Sequence, residues 1–274
     1  DTYEVVGTAR SDLDITDESA VRSSVRAAQP DVILNCAAYN KVDTAESEPD
    51  LALAINAFGV QSLAAAASDV DATLVHFSTD FVFDGETSTP YVETDAPNPQ
   101  SVYATSKLLG EWFAAETPRH YVLRVASLFG DPAVFASGEP RRGSSLDFLA
   151  SAMLEEREVR VFVDRTVSPS HVEDVTEATV SVLRLGLSAG IYHCVGSGSA
   201  TWLDIATELA LRFNVTPNMR QVTLDAADLP ACRPKFCALS NRKLTDAGVV
   251  LPEWQDAVQR YANTRMGIVS VPSD

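Results

Sequence analysis

Over its first two-thirds the chain repeats one pattern: a short apolar run, a polar turn, then a stretch with helical period. Strands that alternate with helices in this way pair in parallel, because a parallel connection needs a long crossover. Tyr3–Thr8, Asp31–Cys36, Ala72–Ser78 and Tyr121–Ala126 read as the strands, and Asp17–Ala28, Leu51–Ser68 and Val102–Glu116 as the helices. Beyond Gly130 the pattern loosens, with Gly138, Pro140 and Gly143 punctuating an irregular stretch. Further strands at Val159–Val163 and Ile191–Val195 flank a helix over Val172–Leu187. One more helix opens near Thr201 and another covers Trp254–Asn263. The fold class this predicts is α/β, a doubly wound parallel sheet followed by a smaller C-terminal region.

The formal net charge is −17. Nucleic acid and anionic membranes attract basic surfaces, so neither is an expected partner. Lysine stands only at Lys41, Lys107, Lys235 and Lys243. A carboxylate-rich, lysine-poor surface suits a halophilic, high-salt cytoplasm, where salt screens self-repulsion. Four cysteines (Cys36, Cys194, Cys232, Cys237) fit a reducing compartment better than a disulfide framework. Only Cys232 and Cys237 lie close together, with no second cluster of ligand type, so no metal site is expected. The N-terminus lacks a basic segment followed by an apolar one. No stretch is read as approaching the roughly 20 uncharged residues of a membrane span. A cytoplasmic protein is the expectation.

The sharpest chemical constellation is Ser78-Thr79-Asp80 at a strand end, followed by Tyr103-Ala-Thr-Ser-Lys107. Four helical steps of 100° bring Tyr103 and Lys107 to within about 40° of one face. An ammonium beside a phenol favours the phenolate and is expected to lower its pKa. Tyr103 could then exchange a proton with a carbonyl or alcohol oxygen. A hydroxyl at the strand end, Thr79, can hold that same oxygen.

With these residues in place, the chain resembles the dTDP-4-dehydrorhamnose reductases, within the extended short-chain dehydrogenase/reductases. The resemblance runs over essentially its whole length. It is carried by PDVILNCAAYNKVDTAESEP (Pro30–Pro49), FSTDFVFDG (Phe77–Gly85), YVETDAPNPQSVYATSKLLGE (Tyr91–Glu111) and RPKFCALSNRKL (Arg233–Leu244). It implies a Rossmann fold and a catalytic triad of Thr79, Tyr103 and Lys107. Tyr103 would be the proton donor, and Lys107 would also hold the nicotinamide ribose. The implied reaction is NAD(P)H-dependent reduction of a 4-keto sugar nucleotide, dTDP-4-dehydro-L-rhamnose to dTDP-L-rhamnose or a near relative.

The implied cofactor residues are Arg10, Asp14, Ile15, Asn35, Ala37 and Ala38, together with Tyr103 and Lys107. Arg10 ends the first predicted strand, where an arginine suits the 2′-phosphate of NADPH and an acidic residue the 2′-hydroxyl of NADH. NADPH is therefore favoured, with NADH as the alternative. Ala37 and Ala38 could equally form a small-residue turn needed for packing alone. Substrate contacts fall to Val42, Asp80, Phe81 and Arg233, the last as a clamp on a diphosphate. Residues 1–134, with 164–190 returning to them, are assigned to the dinucleotide-binding domain. Residues 135–163 and 191–274 are assigned to the substrate-binding region. The expected partner is the sugar nucleotide, and homodimer formation is left open.

His76 reads as a core histidine, and His171 and Asp174, just before a helix, read either as its caps or as substrate contacts. Glu46 and Glu48 read as caps of the helix that follows them. Two departures from the family pattern bear on the substrate. Phe81 stands where tyrosine is usual, and Arg124-Val-Ala-Ser-Leu-Phe-Gly130 lacks the tryptophan of RTSWxYG. The second drift is toward the regulatory β subunit of methionine adenosyltransferase, a non-catalytic nucleotide-binding relative of the same fold and the alternative reading. No Gly-rich turn to receive a pyrophosphate stands in the sequence. Either the first strand and its loop are absent from it and the chain opens in the second strand, or the protein does not bind a dinucleotide conventionally; the first reading is favoured. The family spacing predicts about 25 further residues before Asp1, with a strand and a G-x-x-G-x-x-G turn.

Overall fold

The computed structural model describes residues 3–130 and 143–267. Helix α1 (Glu18–Ala28) is entered through Asp17, whose carboxylate accepts from the Ala20 amide at 3.0 Å. Strand β1 (Val32–Asn35) and the short α2 (Val42–Ala45) follow. One continuous helix comes next in three sections: α3 (Pro49–Leu53), a π turn over Ala54–Phe58, and α4 (Gly59–Asp69). Strand β2 (Thr73–Thr79) runs into a 3-10 turn, Asp80–Val82, and a loop leads on to α5 (Val102–Ala114). Then come β3 (His120–Val125), β4 (Leu128–Phe129), α6 (Ser145–Leu154), β5 (Val159–Phe162), β6 (Thr166–Val167) and β7 (Ser170–His171). Helix α7 (Val172–Leu185) and β8 (Gly190–His193) precede β9 (Ala200–Thr201), α8 (Trp202–Phe213) and β10 (Met219–Val222). Helices α9 (Arg242–Asp246) and α10 (Trp254–Arg265) finish the described chain.

The main sheet has the order β1-β2-β3-β8 and is parallel throughout. Period-two alternation sends its side chains to opposite faces. Leu74 and Val122 pack on one face against Val21 and Val25 of α1 and Leu63 of α4. Val75, Tyr121 and Leu123 pack on the other against Val175, Ala178 and Val182 of α7. Both faces are thus covered, as the doubly wound reading requires, and each fully buried Val or Leu contributes roughly 1.5–3 kcal/mol. A separate apolar cluster joins α6, α8 and α10 to β5, which pairs in parallel with β10. Strand β8, placed by the sequence reading with the C-terminal region, pairs with β3 in the main sheet.

Two expectations are corrected. Tyr3–Thr8 is not a strand: Val5 and Val6 are 82% and 74% exposed, and no strand among the described residues pairs with this segment. An extended stretch without a neighbour has no ladder to satisfy its backbone groups. The second concerns membrane spans. Pro49–Asp69 is, by length and composition, apolar enough to cross a membrane. Its Ala52, Ala57, Val60, Ala64 and Ala67 are buried in the protein's own core, so apolarity here serves packing.

The charge pattern yields a test. Lys107 is buried, so only three lysines remain for the surface of a chain with 38 Asp and Glu. The melting temperature is expected to rise between low and molar KCl, and by more than for a homologue of balanced charge. A flat or falling curve in a KCl series removes the halophile reading.

Candidate active site

The carboxyl ends of β1, β2 and β3 open into a cleft of about 660 Å³. Parallel sheets place ligands at this edge. Cys36, Ala38, Thr79, Tyr103, Lys107 and Phe81 are among its walls. Strand β2 delivers Thr79, whose hydroxyl donates to Asp80 Oδ1 at 3.0 Å and accepts from the Phe81 amide at 3.2 Å. That second bond caps the 3-10 turn and fixes where the hydroxyl sits.

Helix α5 carries Tyr103 and Lys107 one turn apart, and its start is pinned twice. Ser101 accepts from the Ala104 amide at 3.2 Å, and Glu46 accepts from the Val102 amide at 2.9 Å. Glu46 therefore serves α5, not the helix that follows it. Glu48 instead accepts from the Tyr39 hydroxyl at 2.6 Å. In both cases the carboxylate is held by a donor outside the helix that follows it. Gly110 lets α5 approach the π turn, since a Cβ there would collide with the Asn56 carbonyl oxygen. The buried Asn56 side chain accepts from the Tyr39 amide at 2.8 Å and donates to Ser106 Oγ at 3.0 Å. Ser106 Oγ in turn donates to the Tyr103 carbonyl at 2.7 Å.

The electrostatics differ from expectation. Burial pushes the Tyr103 phenol up to about 12, a hydrogen bond with Thr79 opposes this, and the Asp80 charge adds to it. Lys107 does not lower it here. The Lys107 ammonium donates to the Phe77 carbonyl oxygen, and burial brings its own pKa down to about 8, against the charge of Glu111. Burial likewise pushes the Asp80 carboxyl up. The Phe81 ring meets Tyr103 edge-on, with centroids 6.0 Å apart.

The other named residues divide into cleft and periphery. Val42 lines the cleft at the start of α2. Asn35 is buried, with Nδ2 3.1 Å from His76 Nδ1 and Oδ1 accepting from the Ala37 amide at 3.1 Å, so its side chain shapes the Asn35–Ala38 turn. Arg10 is 75% exposed and ion-pairs with Asp14 at 3.7 Å. The Thr16 amide and hydroxyl bond Asp14 and hold its carboxyl below the usual range. Ile15 packs on Gly59, where a Cβ would leave only 2.7 Å to its Cδ1. Arg233 is at the cleft, but its two terminal nitrogens bind Asp43 at 2.8 and 2.7 Å. Its fork is already matched by a protein carboxylate. His76 is a core residue, and His171 caps α7 by accepting from the Glu173 amide at 3.3 Å. Asp174 is bound by Arg260 at 2.6 Å.

The profile of the family described as RmlD substrate binding domain matches residues 1–266. The chain is 34% identical over 263 residues to the dTDP-4-dehydrorhamnose reductase of Escherichia coli K12, covering 91% of this chain and 85% of that protein. The chain belongs to the dTDP-4-dehydrorhamnose reductase family. The reductase of Mycolicibacterium smegmatis is 35% identical over 264 residues, with coverage of 94% and 77%. The Bacillus anthracis reductase, solved in complex with NADP, matches at a TM-score of 0.87 and 31% identity, over 94% of this chain and 89% of that one. The Clostridium acetobutylicum reductase matches at 0.88 and 34%, over 96% and 91%.

Within this reductase-family cleft, Ser127 occupies the position of the missing tryptophan and lines the wall. Sequence reasoning missed Arg165 and Trp202, which also line the cleft. Asn56 carried a signal, a polar amide inside an Ala-rich apolar helix, and was passed over.

Proposed function

We propose that the protein reduces a 4-keto sugar nucleotide, dTDP-4-dehydro-L-rhamnose to dTDP-L-rhamnose, with NADPH as the favoured cofactor. The observation that carries this is the convergence of Thr79, Tyr103 and Lys107 on one cleft in a chain of this family. A nicotinamide cofactor fits the residues present. Cys36 and Ala38 put only small side chains on the cleft wall beside Lys107, leaving room for close approach to backbone. Arg10, Asp14, Ile15, Asn35, Ala37 and Ala38, with Tyr103 and Lys107, are the residues that would hold it. When bound, the reduced nicotinamide supplies the hydride that the sugar C4 must accept.

The chain's own residues supply the rest. Thr79 holds the C4 oxygen and stabilises charge building on it. Tyr103 gives that oxygen its proton, and a phenol pushed up to about 12 is protonated at neutral pH, as an acid must be. Lys107 lends positive charge beside the reacting oxygen. Asp80, Phe81 and Val42, which line the cleft, would face the sugar.

Turnover of a panel of nucleotide-linked 4-keto sugars by the full-length protein, followed through NADPH oxidation, tests the reading. Reduction of the dTDP-linked 4-keto-6-deoxyhexose is the expected result. Tight nucleotide binding without turnover of any member would favour the regulatory-subunit alternative instead.

A further inference from the structure

The Thr79 hydroxyl stands between two acids of the cleft. It donates to Asp80 Oδ1 at 3.0 Å, and Tyr103 hydrogen-bonds the same hydroxyl. A threonine hydroxyl has one proton and two lone pairs. The Phe81 amide occupies one lone pair at 3.2 Å, so one proton and one lone pair are left for the two acids. The hydroxyl can donate to Asp80 while accepting from Tyr103, or donate to Tyr103 while accepting from Asp80. Passing from the first state to the second moves a proton between the acids.

Asp80 is suited to be the source. It is buried in the cleft wall, and its Oδ2 has no hydrogen-bond partner among the described residues. A buried carboxylate with an unsatisfied oxygen is costly, and taking up a proton relieves that cost. Burial accordingly raises its pKa, against the Cys237 thiol and the charge of Arg165. The phenol, at about 12, holds a proton far more tightly than a carboxyl, whose ordinary value is about 4. Transfer from Asp80 to a Tyr103 phenolate therefore runs downhill. Lys107, the other charged side chain of the triad, is turned to the Phe77 carbonyl oxygen.

We propose that Asp80 reloads Tyr103 with a proton through the Thr79 hydroxyl after each turnover. This rests on reading the cleft as that of a reductase in which Tyr103 is the acid. The protons balance. Tyr103 has given its proton to the C4 oxygen and is left as a phenolate. The Thr79 proton moves to the Tyr103 oxygen, the Asp80 proton moves to the Thr79 oxygen, and Asp80 is left as a carboxylate. Asp80 regains a proton from water in the open cleft, so each turnover consumes one solvent proton. While a sugar is bound, the single Thr79 proton serves its C4 oxygen, so the relay runs once the product has left.

Rapid mixing of the full-length protein with NADPH and the 4-keto sugar tests it. The first turnover and the steady state are measured in wild type, Asp80→Asn and Asp80→Ala. Loss of a sugar contact slows the first turnover at least as much as later ones, so a raised ratio of first-turnover to steady-state rate reads the relay. Asp80→Asn keeps the shape of the side chain but has no acidic proton, and should raise that ratio about tenfold or more over wild type. Added formate, a small carboxylic acid, should speed the steady state of Asp80→Ala and leave wild type unchanged. An Asp80→Asn ratio equal to that of wild type overturns the proposal, and so does an Asp80→Ala protein that formate does not speed. A wild type that reduces no member of the panel removes the reductase reading and the relay with it. Wild-type turnover with unchanged ratios in the variants removes the relay alone.

Discussion

Tyr103→Phe is expected to slow keto-sugar reduction by about 100- to 10,000-fold, the range a positioned general acid contributes. The fold should survive. The Tyr103 carbonyl, not its hydroxyl, takes part in the Ser106–Asn56 network, and the ring contact with Phe81 is kept by phenylalanine. A second signature follows from Lys107. With its pKa brought down to about 8, the side chain is charged below that pH and neutral above it. Wild-type kcat/KM should therefore fall as pH rises through about 8, while the phenol, at about 12, keeps its proton. Single-turnover rates of wild type and Tyr103→Phe across pH 6–10 (about four units around the Lys107 pKa) check both. A folded Tyr103→Phe protein with wild-type rates ends the assignment of Tyr103 as the acid.

What was legible in the sequence was whatever has a short period or a contiguous motif. Buried parallel strands announce themselves as apolar runs, so β2 and β3 stood out. Tyr103 and Lys107 share a helix face by arithmetic alone, and Thr79 ends a strand that any reading would find. Tyr3–Thr8 shows the limit of that signal. Its β-propensity is real, but a strand exists only beside another, and pairing is not a local property. The two-residue strands β4, β6, β7 and β9 are too short for periodicity to register, and β6 with β9 is the ladder that seats Arg165 and Trp202.

Charge partners were the least legible. Arg233 and Asp43 are 190 residues apart in sequence and form a bidentate pair. Nothing local distinguishes an arginine awaiting a phosphate from one already holding a carboxylate. The Tyr103 pKa failed for a related reason. Proximity along a helix face predicts attraction between Lys107 and the phenol, but burial acts on both groups and sends the ammonium to the Phe77 carbonyl. Desolvation depends on the whole fold, so its sign can be argued from sequence while its weight against a neighbouring charge cannot.

The second large effect is expected from the buried pair behind the triad. Arg124 and Glu111 are 1% and 2% exposed, and the guanidinium grips the carboxylate through Nε at 2.9 Å and Nη2 at 2.7 Å. Ser78 Oγ donates to the same carboxylate at 2.6 Å, and Arg124 also lies 5.0 Å over the Phe83 ring. Burial first, and Arg124 second, bring His193 down to about 3, so it stays neutral 3.4 Å from Arg124 Nη1. Ser78 precedes Thr79, and Glu111 follows Lys107 by one helical turn, so this network joins both halves of the triad. Removing one partner strands the other charge in a dry interior, a cost of roughly 3–5 kcal/mol. Glu111→Gln or Arg124→Met should therefore lower Tm by roughly 10 °C, at about 2–4 °C per kcal/mol for a chain of this size. Replacing both, as Glu111→Leu with Arg124→Met, removes the stranded charge and should recover most of the stability. The double variant should still have a reduced kcat, because apolar packing does not restore the hydrogen bonds that orient Ser78 and α5. Thermal unfolding of the two single variants and the double, with kcat measured on each, separates the two roles. Single variants as stable as wild type, or a double no better than either single, would show that the pair does not hold this site together.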